Sequence, residues 1–187
     1  MKPVLLLDMD GPMAAFDVDL YALVKELGYT LNIKDLNDPT RQYFLTENMP
    51  IEKERKMIRQ IIDRSDFFRY IPVTDGAIDG VKELEKHFDV WVCTKPLDTN
   101  TSCRNDKMAW IEKHFPDLYT KVIMAPVKSL VTGSVLLDDA PIVDGREQWK
   151  PIVFTDTFNI HDPRWQHLPH WTWSDGIDKF LDLVAVA

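Results

Sequence analysis

The sequence predicts an α/β fold: a Rossmann-like core of parallel strands with helices on both faces, and a small helical cap inserted after the first strand. Three observations predict it. Short apolar runs alternate with segments of helical spacing, the rhythm of a parallel sheet built from crossover units. Polar residues able to do chemistry fall just past the ends of those runs. The stretch 30–72 has a different texture, charged and aromatic with no buried-strand run, and reads as an insertion.

Taken in order, Val4 to Leu7 is a continuous apolar run that meets Asp8-Met9-Asp10-Gly11, a buried strand entering a loop. Asp17 or Asp19 then caps a helix through Leu20, Leu23, Val24 and Leu27, stopped by Gly28. Within the insertion, Met57, Ile58, Ile61 and Ile62 have helical spacing. The rhythm resumes after Pro72. Ala77, Val81, Leu84 and Phe88 share one helix face, and Asp89 to Cys93 is the second strand. Met108, Ile111 and Phe115 mark another helix. Strand-like runs follow at Lys121 to Met124, Ser134 to Leu137 and Pro151 to Phe154, and Ile177 to Val184 closes the chain as a helix. The division expected is a core of residues 1–16 and 73–187 and a cap of residues 17–72.

Composition narrows the function classes. The 187 residues are 45% hydrophobic and 28% charged, ordinary values for a folded domain. A formal net charge of -8 argues against long nucleic acid or an anionic membrane as partner, but not against a small phosphorylated substrate. No apolar run reaches the length of about 18 residues that spans a bilayer, and the apolar start is too short for a signal peptide. Two cysteines, Cys93 and Cys103, make no disulfide framework, so a reduced, cytoplasmic setting is expected. A homodimer is left open.

In parallel sheets, ligands gather at the carboxyl ends of the strands. Asp8 and Asp10 follow the first strand, Thr94 and Lys95 the second, Lys128 the third, and Asp138 and Asp139 the fourth. Carboxylates crowded together need a cation or a proton. Mg²⁺ suits oxygen ligands of this kind. An Asp can attack phosphorus, and a second Asp two residues on can protonate the leaving oxygen and then activate water. Lys128 would neutralise charge developing on the phosphoryl oxygens, and Thr94 would hold the phosphate. Three histidines (His161, His167, His170) and three tryptophans (Trp165, Trp171, Trp173) near the end carry no zinc-type spacing and read as surface and edge packing.

Asp8-Met9-Asp10-Gly11, Thr94, Lys128 and Asp138-Asp139 resemble the four motifs of the haloacid dehalogenase superfamily. The stretches Asp8 to Phe16, Cys93 to Pro96, Lys107 to Phe115 and Leu136 to Pro141 are most similar to the 5'(3')-deoxyribonucleotidases. The likeness runs over nearly the whole chain and is weakest in the cap. It implies a Mg²⁺-dependent phosphatase acting on deoxynucleoside monophosphates, with Asp8 as nucleophile and Asp10 as acid and base. It implies Mg²⁺ held by Asp8, the Asp10 carbonyl and Asp139, with Asp138 behind them; which of Asp138 and Asp139 touches the ion is open. Arg41 to Glu47 resembles the family's base-contacting cap segment, which makes Tyr43, Phe44 and Leu45, with Phe16, the expected nucleobase contacts.

The chain departs from the family pattern at Pro12, at Lys95 where a serine is usual, and at Pro126 where an arginine is usual. Lys95 is the expected replacement for that missing charge. A phosphatase of another small ester, such as a sugar phosphate, is the alternative enzyme. A silent binding module of the same fold is the alternative class, disfavoured because every motif residue is present.

Overall fold

The structure is a computed structural model that describes residues 1–27, 36, 38, 40–43 and 51–186. In chain order it contains β1 (Val4–Leu7), α1 (Phe16–Glu26), α2 (Glu52–Ile62), α3 (Ala77–His87), β2 (Asp89–Thr94), α4 (Cys103–His114), β3 (Val122–Met124), β4 (Thr132–Asp138), β5 (Gln148–Phe154), β6 (His170–Trp171) and α5 (Gly176–Val186). The strands form one six-stranded sheet in the order β3-β2-β1-β4-β5-β6. Every pairing is parallel. The parallel α/β fold expected from the sequence is therefore present. No helix among the described residues is long and apolar enough to cross a membrane.

Burial on both sides explains why the strands read as unbroken apolar runs. Leu5 and Leu7 join a large core cluster with Val90, Val92, Val135, Leu137 and Ile152. Leu6 joins Cys93, Leu136 and Trp149 in a second cluster. Buried residues of all the named helices fall in the larger cluster, among them Leu20, Ile58, Val81, Trp110 and Phe180. The second face carries irregular chain among the described residues rather than the helices expected on both faces, because the connections at 125–131, 139–147 and 155–169 contain no α-helix. Ala140, Val153, Phe158 and Trp165 form a small cluster there.

Local details differ from the sequence reading in four places. Neither Asp17 nor Asp19 caps α1: its N-cap is Ala15 with no side-chain bond, and Asp17 is engaged by Arg41 instead. The buried stripe of α4 is Cys103, Asp106, Lys107, Trp110 and Ile111, so Met108 is off that stripe. A sixth strand, β6, pairs only Val153 with His170 and Phe154 with Trp171, too short for any period to announce it. Trp165 and Trp171 are core residues rather than surface ones. Gly28, Phe44 and Leu45 lie outside the described residues.

Close contacts outside the strands brace the elements around the sheet. Trp173 packs over Gly80 in α3, where a Cβ would lie 2.0 Å from the indole, so only glycine lets the two approach. The segment that leaves after β1 returns beside its start: Ala15 N–H donates to the Pro72 carbonyl at 2.9 Å, and Thr74 N–H to the Met13 carbonyl at 2.8 Å. Strand order reverses at β1, with β2 on one side and β4 on the other. The crevice that ligands favour therefore opens at the carboxyl ends of β1 and β4.

Candidate active site

Asp8 is the first residue past β1, and the ladder continues through it: its N–H donates to the Leu137 carbonyl at 2.9 Å. Its Oδ1 accepts from Met9 N–H at 2.7 Å and faces Lys128 Nζ at 2.7 Å. The following turn is pinned from three directions. Gly11 N–H bonds the Ala14 carbonyl at 2.8 Å, Thr74 Oγ1 donates to the Gly11 carbonyl at 2.7 Å, and Trp173 Nε1 donates to the Pro12 carbonyl at 2.7 Å.

The end of β4 meets this turn. Asp138 has both oxygens engaged, Oδ1 by Ala140 N–H at 2.8 Å and Oδ2 by Lys128 Nζ at 2.7 Å. Asp139 lies against Gly11, where a Cβ would come 2.8 Å from its Oδ2, and Gly11 takes a φ of +87°. Glycine is needed there twice over, for the backbone and for the space. The Asp139 carbonyl is held by Asn159 Nδ2 at 2.9 Å, and Asn159 also donates to the Phe154 carbonyl at 2.8 Å. One buried amide thus ties the β4 end to β5.

Three carboxylates face one ammonium in this crevice. Oxygens of Asp8, Asp138 and Asp139 lie within 4.8 Å of one another, the one such group of potential metal ligands among the described residues. Burial raises the Asp8 carboxyl to about 7, and the charges of Asp138 and Asp10 push the same way against Lys128. Asp139 is raised well above the carboxylate range by burial and by Asp138 and Asp8. Burial works against charge on Lys128, but Asp138 and Asp8 more than offset it. Acids raised in this way want a further cation. Close hard oxygens, with Asp139 not taken by Lys128, fit a divalent ion such as Mg²⁺.

The acid beside them is held by a residue the sequence reading did not single out. Lys107 Nζ, on α4 and fully buried, lies 2.5 Å from Asp10 Oδ2, 2.8 Å from Thr94 Oγ1 and 3.2 Å from the Lys95 carbonyl. It also stands 5.2 Å from the ring centre of Phe68. Asp10 Oδ1 is buried with no hydrogen-bond partner among the described residues. The signal for Lys107 is its position on the apolar stripe of α4, four residues from Cys103 and three from Trp110.

The expected substrate contacts sit around this centre in two groups. Phe16 packs on Phe67 and Phe68, with centroids 5.7 and 5.9 Å apart. Tyr43 packs on Phe158 and Trp165, at 5.3 and 5.6 Å. Its hydroxyl is raised by burial and then by the charges of Asp139, Asp138 and Asp8, so it stands within their field. Lys95 is exposed at the rim. Beside Tyr43, Arg41 is buried and pairs with Asp17, with Asp156 at 2.5 Å and with Thr157 Oγ1 at 3.2 Å. That network fastens the inserted segment to the loop after β5.

Comparison with known proteins places the chain in a family and its fold among known ones. The family model described as 5' nucleotidase, deoxy (pyrimidine), cytosolic type C protein matches residues 2–181. The chain is 30% identical to mitochondrial 5'(3')-deoxyribonucleotidase of Mus musculus, over 95% of this chain and 84% of that protein. Among solved structures, a haloacid dehalogenase-like hydrolase from Burkholderia xenovorans aligns with a TM-score of 0.55 at 12% identity, covering 97% of each chain. A haloacid dehalogenase-type hydrolase from Bacillus subtilis, solved bound to magnesium, aligns at 0.53 and 13%, covering 93% of this chain and 96% of that one. At those identities the structural likeness speaks to fold alone.

Proposed function

Since the chain belongs to the family of deoxy (pyrimidine) 5' nucleotidases of cytosolic type C, we propose that it is a Mg²⁺-dependent phosphomonoesterase acting on deoxyribonucleoside monophosphates through an aspartyl-phosphate intermediate. The observation that carries this reading is the triad of buried Asp8 and Asp138 and half-buried Asp139 with Lys128, at the carboxyl ends of β1 and β4. Asp8, Asp139 and the Asp10 carbonyl would hold the ion, and Asp138, with both oxygens engaged, would orient Lys128. When bound, Mg²⁺ supplies positive charge against the phosphoryl oxygens and favours the ionised form of Asp8.

The reaction divides between the side chains. Asp8 attacks phosphorus as the bond from phosphorus to the ester oxygen breaks. The bonding pair stays on that oxygen, which takes a proton from Asp10 and leaves as the nucleoside hydroxyl. Water then attacks the same phosphorus and gives its proton to Asp10. The bond to Asp8 breaks, restoring the carboxylate and releasing inorganic phosphate. Lys128 balances charge on Asp8 and on the transferring group, and Thr94 donates to a phosphoryl oxygen.

Residues 17–72 serve as the cap in this reading, with Phe16, Tyr43, Phe44 and Leu45 toward the base and Lys95 at the rim. A cytoplasmic setting agrees with two buried free thiols, Cys93 and Cys103. The test is phosphate release from dTMP, dUMP, dGMP, ribonucleotides, 3'-monophosphates and sugar phosphates, with Mg²⁺ and again after chelation. Metal-dependent release strongest on deoxynucleotides is expected. Release only from sugar phosphates would keep the mechanism and discard the substrate, and no release from any of them would return the chain to a binding role.

A further inference from the structure

We infer that Lys107 is the positioning residue that sets the direction of proton donation for both Asp10 and Thr94; this rests on the functional reading above. A lysine ammonium has three donors and no acceptor. Here all three meet oxygens: Asp10 Oδ2 at 2.5 Å, Thr94 Oγ1 at 2.8 Å and the Lys95 carbonyl at 3.2 Å. Asp10 Oδ2 accepts from Lys107, so a proton carried by Asp10 sits on Oδ1. That is the oxygen with no partner among the described residues. Thr94 Oγ1 also accepts from Lys107, so its single proton points elsewhere, free to meet a phosphoryl oxygen.

Burial makes the arrangement rigid. The Lys107 side chain is 0% exposed, and the face of Phe68 closes over Nζ at 5.2 Å. A buried cation must keep its partners, because losing one leaves a desolvated charge. Asp10 is thus held to one orientation, in which Oδ1, buried in the free protein, would give its proton to the leaving oxygen in the first step and take one from water in the second.

The test compares kcat/KM for dTMP and p-nitrophenyl phosphate in wild type, Lys107→Met and Lys107→Gln, with thermal melts to confirm folding. Nitrophenolate leaves without a proton, whereas a nucleoside hydroxyl needs one. The expected result is a loss of about 100-fold on dTMP, within the usual range for general acid catalysis, against less than about tenfold on p-nitrophenyl phosphate. A burst of nitrophenolate should precede slow turnover, since water activation also needs a positioned Asp10. Equal losses on both substrates, or no loss on either, would overturn the inference. Failure of both variants to fold would assign Lys107 to stability and overturn it as well. A wild type inactive on both substrates with Mg²⁺ would instead sink the functional reading, and this inference with it.

Discussion

Two Asp–Lys pairs stand at opposite ends of the same sheet and behave in opposite ways. At the carboxyl end, Lys128 Nζ lies 2.7 Å from Asp8, with the two side chains 14% and 10% exposed. At the amino end, Lys121 Nζ lies 2.9 Å from Asp89, with side chains 35% and 42% exposed. The distances are nearly equal. Yet Asp89 is lowered from the usual carboxylate value, first by its hydrogen bond to Lys121 and then by the Trp91 indole, whereas Asp8 rises to about 7. Burial and two further carboxylates outweigh the lysine at one end, and water leaves the lysine in charge at the other. A cavity of about 380 Å³ opens at the amino end, beside Asp89 and Lys121, while Asp8, Asp138 and Asp139 gather at the carboxyl end. Crowded, desolvated charge sets the carboxyl end apart.

The largest expected effect contrasts the two aspartates directly. Asp8→Asn keeps the shape of the side chain but removes the proposed nucleophile, so turnover should fall on the order of 10⁴-fold or more with the fold intact. Asp89→Asn should leave turnover within about twofold and cost less than about 1 kcal/mol of stability, as exposed pairs do. Steady-state kinetics and thermal melts on both variants read this out. Near-normal turnover in Asp8→Asn would overturn the covalent mechanism and erase the contrast.

A smaller effect concerns pH and metal. An aspartate whose folded pKa is raised gives stability that is full below its unfolded value and lost as pH rises through the folded one. For Asp8 that window runs from about 4 to about 7. Asp89 is lowered, so its contribution holds above the unfolded value and is lost only in acid below it. His114 and His170, lowered by burial, gain stability with rising pH, so Asp8 must be isolated by difference. In chelator, the melting temperature of wild type relative to Asp8→Asn should drop by roughly 5 °C between pH 5 and 8. Saturating Mg²⁺ should remove that drop in wild type, because a cation beside Asp8 favours its charged form. Parallel curves for the two proteins in chelator would show that Asp8 is not destabilised by its surroundings.

How far the sequence reached follows from the same physics. Asp8, Asp10, Thr94 and the Asp138-Asp139 pair were legible because apolar runs fix strand ends, and strand ends in a parallel sheet share one edge. Lys107 was not, because a lysine in mid-helix is normally solvated. Its burial shows only when the stripe is traced through Cys103, Asp106, Trp110 and Ile111 instead of Met108 and Phe115. Asp106 on that stripe is likewise buried, answered by Ser102 at 2.5 Å and Arg69 at 3.2 Å. Arg41 stands out in the sequence only within its motif, because its partner Asp156 lies 115 positions away. Tyr43 finds Phe158 and Trp165 across a similar distance. No local period encodes such pairs. The two residues of β6 are too few to alternate at all.

The smallest expected effect lies at the rim and sharpens the comparison most. Lys95 belongs to the reactive edge by position, following β2 directly, yet its side chain is exposed like the pair at the amino end. Only its carbonyl is built into the centre, accepting from Lys107. If environment rather than location sets a charge's strength, Lys95 should act weakly and through a screened field. Lys95→Met should therefore raise KM for dTMP about tenfold at low salt, near 1.4 kcal/mol, and leave p-nitrophenyl phosphate turnover unchanged. The difference should shrink as salt rises past the range where exposed charges are screened. An unchanged KM would remove Lys95 from nucleotide recognition. A large, salt-insensitive loss would mean that the rim becomes buried when substrate binds, and that the edge, not exposure in the free protein, decides.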